Sequence, residues 1–393
     1  MKRILLFAVI YIFCGTLICY PQKKIPSSPG PAKSPGTMYI DRKDIKTKEI
    51  TAELPFNTDG TIFLENILRV IDIKTGTDGK IKLSTTISYY GTPAYTDQQW
   101  LEELDISMNG QPKSVVIKTG KQFSREGKTE AATIPEEDSL IDKKAGELSD
   151  RVAIIGNDGK WVNRKAAVFR KIILYVPAQA LLDITSKYGK ITISNDLNEV
   201  VAKITSGSLK MKNVKYINLS SSYSRIETEN IQQSKISLSN AKFIVKKNDR
   251  IEINSSNSIV NAADIKTMTI NSTNDRYEIQ ELGSATGEKK YGNFEITSLK
   301  DSLNITGVNA DIKLRSIFSS VRTIRINNKY GEMHLPIRLL KNWTLDVTGA
   351  NTSISAPFKL KANADKTQTA EAGAQINSTK FQLKCNDCNI DFN

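Results

Sequence analysis

Few side chains of this sequence have the types and spacing that catalysis requires. The one histidine, His334, stands between Met333 and Leu335 in an alternating pattern that predicts a strand with the imidazole facing solvent. Ser-His-Asp catalysis would have to use this residue, and no Gly-x-Ser-x-Gly turn accompanies it. A zinc site built from histidine and cysteine would lack ligands. The sequence therefore predicts neither histidine-based catalysis nor a zinc site.

Carboxylates are the second group that could do chemistry. Glycoside hydrolysis places carboxylates around one cleft, and polysaccharide lyases combine acidic calcium ligands with a basic residue. Four aspartates fall in different repeats, without an acidic doublet: Asp264, Asp275, Asp301 and Asp311. Asp275 takes a turn position, where aspartate tolerates the left-handed conformation. The sequence therefore predicts no catalytic residue, no cofactor and no metal site. A groove that holds three acidic side chains, or a bound calcium ion, would instead favour an enzyme.

Cys385 and Cys388 form a Cys-x-x-Cys pair near the C-terminus. Redox chemistry would need a βα context that lowers the pKa of one thiol, and these cysteines lie among strand residues. Exported proteins keep their cysteines oxidised. The pair is therefore expected to form a short-loop disulfide.

Four tyrosines share the first position of a recurring turn: Tyr188, Tyr223, Tyr291 and Tyr330. Stacking of the repeats would align them along one edge, with repeats that are two apart separated by about 10 Å. Exposed aromatic rings offer apolar faces on which sugar rings stack. We therefore hypothesise that this edge contacts glycan. The alternative is that each tyrosine packs across its own corner and shields the turn.

A repeat of about 17 residues positions these side chains. Each unit has an apolar-x-apolar segment, polar residues, a turn pair and a second apolar-x-apolar segment. The second members of the turn pairs are Gly189, Gly207, Ser224, Ala241, Ser258, Asp275, Gly292, Ala310, Gly331 and Asn351. If each unit is one coil, glycine or asparagine takes the positive φ of the corner. The predicted fold is all-β: a single-stranded parallel β-solenoid, or β-helix, with rungs of about 17 residues.

Alternating residues of successive units predict one apolar interior column, because a lone coil could not bury this face. Its predicted members are Ile191, Ile193, Leu209, Met211, Ile226, Phe243, Val245, Ile259, Tyr277, Ile279, Phe294, Ile296, Ile312, Leu314, Met333, Leu335 and Ile354. The period-2 alternation excludes a helical bundle.

Residues 1–20 have the pattern of a signal peptide, since Lys2 and Arg3 precede an uncharged apolar run. An uncleaved anchor is an alternative, although the run is short for a bilayer. A lipoprotein acylated at Cys14 or Cys19 is another, although large residues precede both cysteines. The sequence thus predicts export.

Composition divides the remaining chain into five segments. A Pro-rich linker covers 21–40, β lead-in strands cover 41–118, and a long charged insertion loop covers 119–166. The solenoid repeats cover 167–357. A C-terminal capping rung covers 358–393, where the cysteine pair would staple the open end against edge-to-edge aggregation.

The formal net charge is +13, which favours anionic partners. The predicted partner is an anionic envelope or extracellular polysaccharide, with membrane contact only through the signal or anchor. No clustered stripe of a specific nucleic-acid binder is visible, and the excess charge could also be dispersed for solubility. The sequence does not determine the oligomeric state.

Three phrases carry a resemblance to a known family: Lys171-Ile-Ile-Leu-Tyr-Val-Pro177, Lys187-Tyr-Gly-Lys-Ile-Thr-Ile193 and Asn327-Asn-Lys-Tyr-Gly-Glu-Met-His-Leu335. With them, residues from about 45 to 392 resemble the bacterial putative-adhesin family of exported parallel β-solenoid surface proteins. The resemblance implies a β-solenoid, export and an adhesive or envelope role. It transfers no binding residue.

The sequence as a whole predicts a non-catalytic, exported cell-envelope protein, an adhesin or surface scaffold that contacts glycan along a solenoid edge. One alternative is a carbohydrate-active β-helix enzyme, either a polysaccharide lyase or a hydrolase. The other is a periplasmic assembly component. Predicted locations are the cell surface, the outer envelope and the periplasm.

Overall fold

The computed structural model describes residues 42–76, 79–120, 171–365, 367–374 and 378–393. Within these ranges the chain is nearly all β, with a large and mostly parallel sheet and one α-helix, α1 (Asp97–Glu103). The predicted signal peptide, the Pro-rich linker and nearly all of the charged insertion lie outside the described residues. No helix among the described residues has the length and apolar character to cross a membrane, since α1 has seven residues.

The strands are numbered in chain order. The first seven are β1 (Ile45–Pro55), β2 (Thr61–Ile67), β3 (Val70–Thr75), β4 (Lys80–Tyr90), β5 (Ile106–Gln111), β6 (Ser114–Thr119) and β7 (Lys171–Val176). The middle strands are β8 (Leu181–Lys187), β9 (Lys190–Ile193), β10 (Leu197–Thr205), β11 (Ser208–Ser222), β12 (Arg225–Ser239), β13 (Lys242–Ser256), β14 (Ile259–Thr273) and β15 (Arg276–Ile317). The last are β16 (Thr323–His334), β17 (Trp343–Thr348), β18 (Ser353–Ser355), β19 (Lys361–Ala362), β20 (Gln368–Ala372) and β21 (Thr379–Asp391).

Strands β10 to β15 pair in parallel at a constant offset of 17 residues. Ser208 of β11 pairs with Arg225 of β12, and Arg225 pairs with Lys242 of β13. Lys242 pairs in turn with Ile259 of β14, and Ile259 with Arg276 of β15. Because side chains alternate between the two faces of a strand, residues 17 apart form straight rows on one face.

The inward rows form the core, and they correct one residue of the predicted column. Phe243, Val260 and Tyr277 are fully buried in register, whereas the predicted Ile259 is 42% exposed. The choice of Ile259 was wrong because it breaks the 17-residue offset: the residue 17 positions after Phe243 is Val260. Ile259 instead lies between Lys242 and Arg276 on the outer face.

Among the described residues, twelve at corners have φ between +50° and +60°, and we call them the corner column. They are Leu68, Tyr188, Ser206, Tyr223, Asn240, Asn257, Asn274, Tyr291, Asn309, Tyr330, Asn351 and Asp387. Successive corners are linked by backbone hydrogen bonds, such as those that the amides of Tyr188 and Tyr223 donate to the carbonyls of Thr205 and Ser239. The corners therefore stack along one edge of the sheet.

Asparagine adopts the positive φ at five corners, as predicted, whereas tyrosine or serine adopts it at most of the others; in nearly every turn pair it falls on the first member. The second member is tightly packed against the preceding corner. A Cβ atom on Gly207 would lie 2.4 Å from the carbonyl oxygen of Gly189. Glycine at this position therefore permits close stacking of two backbones.

The N-terminal end of the sheet is covered by antiparallel strands and by α1. β1 pairs with β4, and β5 with β6, both antiparallel. Trp100 of α1 is buried with its ring 5.7 Å from Tyr89 and 5.2 Å from Tyr95. This helix was not predicted from the sequence, although Thr96 and Gln99 form the capping box that signals its start.

The C-terminal strand corrects the predicted capping rung. β21 pairs in parallel with β16 on one side and with β17 and β18 on the other, so it lies inside the sheet. β17 lies farther out and is covered by the antiparallel β20. The prediction assumed that strands stack in the order of the chain. The chain instead forms β17 and β18 first, and β21 then inserts between them and β16.

We expect Gly287→Ala to lower the free energy of unfolding by about 2 kcal/mol. Gly287 has φ +135°, and a Cβ there would lie 1.9 Å from the carbonyl oxygen of Ile270. Urea unfolding followed by circular dichroism measures the loss. Gly79→Ala is the matched control, because φ is +87° but nothing lies within 4 Å of the new atom. Equal losses at the two positions would contradict the close approach of the strands at Gly287.

Candidate functional site

The four corner tyrosines are exposed and fall into two pairs. Tyr188, Tyr223, Tyr291 and Tyr330 expose 51%, 54%, 47% and 47% of their surface. In the corner column, Ser206 separates the first pair and Asn309 the second. Members of a pair therefore lie about 10 Å apart. The corners place these rings on one edge, as the stacking of repeats predicted.

Tyrosine is an unfavourable residue for these corners. The left-handed region costs an ordinary L-residue about 1 kcal/mol and is populated mainly by glycine, asparagine and aspartate. Asparagine takes the equivalent position at five other corners: Asn240, Asn257, Asn274, Asn309 and Asn351. Because each tyrosine is about half exposed, burial offsets little of this strain. Strained, exposed aromatic residues of this kind mark candidate binding positions.

Lysines lie over two of the tyrosine rings. The Nζ atom of Lys187 is 5.1 Å from the ring centroid of Tyr188, and that of Lys329 is 4.6 Å from the ring centroid of Tyr330. Cations at this distance are attracted to the ring face. The edge thus combines aromatic faces with positive charge, which suits sugars that carry acidic groups.

The structure also brings acidic side chains together, contrary to the expectation that no acidic cluster forms. A groove of about 520 Å³ is lined by Glu295, Asp311, Glu332 and Asp391, together with His334. These residues come from β15, β16 and β21, whose positions in the sequence are far apart. The cluster was not predicted from the sequence because parallel pairing across β21 is a tertiary feature.

The carboxylates of this groove are engaged in local contacts. Glu295 accepts a hydrogen bond from Nε of Arg315 at 2.6 Å, and Asp311 accepts one from the backbone N–H of Glu332 at 3.1 Å. Asp391 contacts Nδ1 of His334 at 2.9 Å, so the histidine is paired and about one-third exposed.

The electrostatics of Asp391 do not suit a general acid. The side chain of Asn393 donates to this carboxylate and holds its pKa below the usual range, with a smaller contribution from His334. A general acid at neutral pH needs a raised carboxyl pKa. No three His, Cys, Asp or Glu side chains converge as a metal site in the part of the chain that the structure describes.

Asp275 is a buried hydrogen-bond acceptor, so its interpretation as a left-handed turn residue was wrong. It is 2% exposed, and the positive φ of this corner belongs to Asn274. Its donors are the hydroxyls of Ser255 and Ser272 at 2.7 and 2.6 Å and the backbone N–H groups of Ser258 and Thr273 at 2.6 and 3.0 Å. The other three candidate aspartates are at least partly exposed. Asp275 therefore stabilises the fold.

Cys385 and Cys388 are joined by a disulfide with a Cα–Cα distance of 5.8 Å. Both residues are buried, and the bridge spans the corner formed by Asp387. Because β21 lies between β16 and β17, the disulfide braces an internal corner and not the open end of the sheet.

No protein-family model and no curated protein matches this sequence. Among solved structures, the chain is similar to a putative adhesin from Parabacteroides merdae, with 14% identity over 74% of this chain and 96% of that chain and a TM-score of 0.37. A putative adhesin from Parabacteroides distasonis has 10% identity over 73% and 96%, with a TM-score of 0.36. A putative lipid binding protein from the same species has 11% identity over 72% and 95%, with a TM-score of 0.32.

Proposed function

We propose that this chain is an exported, non-catalytic surface protein whose corner tyrosines bind polysaccharide. The observation that carries the proposal is the set of four exposed tyrosines at strained positions of one stacked column: Tyr188, Tyr223, Tyr291 and Tyr330. A tyrosine that strains the backbone and exposes about half of its surface adds little to the stability of the fold. Contact with a ligand would explain why tyrosine stands at these corners. Adhesion to a cell-envelope or extracellular polysaccharide follows from such a surface.

The proposed scaffold is a parallel β-solenoid. The constant 17-residue offset between β11 and β15 supports it, because each offset corresponds to one coil of backbone. The stacked corners support it as well, because each coil must turn at an equivalent residue. Such a scaffold would hold ligand-binding side chains at a fixed spacing of about 4.8 Å per coil.

Polysaccharide suits a surface of this geometry for two reasons. A linear polymer can contact several rings at once, so weak contacts with single sugars add to a useful affinity. Backbone hydrogen bonds between corners fix the main chain of the tyrosines, so binding needs to order only their side chains, which lowers the entropy lost on binding. Stacking on Tyr188 and Tyr330 would also bring the sugar close to Lys187 and Lys329.

A carbohydrate-active enzyme is the second candidate, and the acidic groove favours it. Glu332 and Asp311 line that groove beside His334. Two contacts argue against it: Asn393 holds the pKa of the Asp391 carboxyl below its usual range, and Glu295 is already engaged by Arg315. The proposed role therefore remains binding without catalysis.

We expect replacement of all four corner tyrosines by asparagine to weaken retention on polysaccharide by more than about tenfold. Asparagine is the residue of five other corners, so the variant should fold with unchanged or slightly raised stability. A glycan array on the purified protein identifies the polymer, and affinity electrophoresis through that polymer measures retention. Tyr216→Asn is the matched control, because Tyr216 has Lys215 at 5.2 Å from its ring but lies outside the corner column.

Two results would count against the proposal. Unchanged retention by a folded quadruple variant would show that the tyrosines only pack across their corners. Shorter polymer chains after incubation with the protein, lost with Glu332→Gln, would assign the groove to catalysis. Cell fractionation separates surface display from a periplasmic assembly role.

A further inference from the structure

A row of outward side chains runs beside the corner column, two residues past each corner. Its members in register are Lys190, Ser208, Arg225, Lys242, Ile259 and Arg276. Four of the six are cations and none is acidic, and we call Lys190, Arg225, Lys242 and Arg276 the basic row. These cations are 17 or about 34 residues apart in the sequence, so the sequence itself shows no basic cluster.

The basic row lies within reach of the tyrosines. Lys190 follows Tyr188 by two residues, and Arg225 follows Tyr223 by two residues. Two residues of extended chain span at most about 7 Å. Neighbouring members of the row are separated by about 4.8 Å per strand, so the row extends over about 24 Å from Lys190 to Arg276. A polymer stacked on Tyr188 and Tyr223 would therefore pass alongside these cations.

Charge on the two flanks of the row is unequal. Arg225 pairs with Glu227 at 2.6 Å, and Arg276 pairs with Glu278, both glutamates lying on the side away from the corners. Arg276 remains 62% exposed at its side chain. On the corner side, Lys187 lies over the ring of Tyr188 and adds a further cation. The field of the row therefore favours anions on the corner side.

The same row becomes acidic farther along the sheet. Past Arg276, the equivalent positions include Asp311 and Glu332, which are neighbours because the backbone N–H of Glu332 donates to Asp311. These residues lie beside Tyr330, as the basic row lies beside Tyr188 and Tyr223. The position two residues past the corner is therefore basic beside Tyr188 and Tyr223 and neutral or acidic beside Tyr291 and Tyr330, where Lys329 over the ring of Tyr330 is a cation on the corner itself.

From this arrangement we infer that the bound polysaccharide is acidic and lies against Tyr188, Tyr223 and the basic row. The inference rests on the proposed function and adds where the acidic polymer lies and which side chains contact it. Carboxylates or sulfates along one side of the polymer would face the cations, while sugar rings stack on the tyrosines. Duplex nucleic acid fits less well, because its two charged strands need a broad basic surface, whereas the row next to this one holds Glu227 and Glu278 together with a single cation, Lys210.

The test uses the full chain and two matched sets of substitutions. The first set neutralises the row with Lys190→Gln, Lys242→Gln and Arg276→Gln. The control set, Lys235→Gln, Lys247→Gln and Lys266→Gln, removes the same charge from exposed lysines outside the row and the corner column. Circular dichroism and thermal unfolding verify that both variants fold.

The probes are two pairs of polymers that differ in charge: polygalacturonate with its methyl ester, and dextran sulfate with dextran. We expect the unmodified protein to retain the acidic member of a pair more strongly, and less so as NaCl is raised. The row variant should lose roughly tenfold or more of this retention, while the control set keeps it. The double variant Tyr188→Asn/Tyr223→Asn should lose more retention of acidic polymers than the double variant Tyr291→Asn/Tyr330→Asn.

Three other results would contradict the inference, the proposed function or both. Equal retention of acidic and neutral polymers, unchanged in the row variant but lost with the tyrosines, would refute the inference and leave the proposed function standing. Tighter binding of duplex DNA, lost in the row variant, would assign the row to nucleic acid and refute the inference. Retention of no polysaccharide, on these probes or on the array, would refute the proposed function and the inference with it.

Discussion

Asp275→Ala is expected to lower the free energy of unfolding by about 3–5 kcal/mol. The carboxylate is buried and accepts hydrogen bonds from Ser255, Ser272, Ser258 and Thr273. Removing it leaves these buried donors without their acceptor, and each unsatisfied group costs about 1–3 kcal/mol. It also removes negative charge near the buried Lys289. Urea unfolding measures the total, and hydrogen exchange should locate the loss in β13, β14 and β15.

Two variants calibrate this prediction. Asp275→Asn keeps one oxygen acceptor and the shape of the side chain, so its loss should be smaller than that of alanine. Asp301→Ala is the control for removing an aspartate, because Asp301 is exposed and substitution there should change stability by no more than about 0.5 kcal/mol. A loss at Asp275 no larger than that at Asp301 would show that the buried acceptor is dispensable.

The difference in unfolding free energy between the unmodified protein and Lys289→Met is expected to change by about 2.5 kcal/mol between pH 7 and pH 10. Lys289 is fully buried, and its amine donates to the backbone carbonyl of Tyr291. Burial lowers the pKa of this amine to about 8, opposed by the charges of Asp275 and Asp311.

The sign follows from the proton balance of the two states. Below about pH 8 the amine is charged in both states, so the folded protein carries a buried cation that methionine lacks. Above it the folded state releases the proton while the unfolded state, with its ordinary pKa near 10.4, still holds it. Stability of the unmodified protein therefore rises with pH relative to Lys289→Met.

Urea unfolding at several pH values measures this difference, and comparing two proteins cancels the titration that they share. Lys290→Met is the control, because the adjacent Lys290 is 48% exposed at its side chain and pairs with Glu288 at 3.2 Å. Its difference from the unmodified protein should vary with pH by less than that of Lys289→Met, because the Lys290 side chain stays exposed to water in the folded state. Parallel pH curves for Lys289→Met and the unmodified protein would mean that Lys289 titrates like an exposed lysine.

The basic row and the acidic groove lie at successive parts of the same edge of the sheet. Cations follow the corner column from Lys190 to Arg276, whereas Asp311 and Glu332 follow it beyond. A polyanion would therefore be attracted to one part of the edge and repelled from the other.

Local pattern in the sequence was enough to predict strands, their inward faces and the corner positions of the tyrosines. Alternation at period 2 places Phe243 and Tyr277 inside, and both are fully buried. It failed at Ile259, since two adjacent apolar residues, Ile259 and Val260, fit the alternation equally well. Only pairing with β13 decides between them, because it puts Val260 beside Phe243.

The sequence by itself determined that the chain forms strands of alternating character, that four tyrosines occupy turns, and that Cys385 and Cys388 are close enough to pair. The tertiary structure decided which residues become neighbours across strands: the donors around Asp275, the acids around His334, the basic row, and the place of β21 inside the sheet. The physical reason is that parallel pairing joins residues 17 or more positions apart. Packing and hydrogen bonding over the whole sheet select that pairing, and no local segment encodes it.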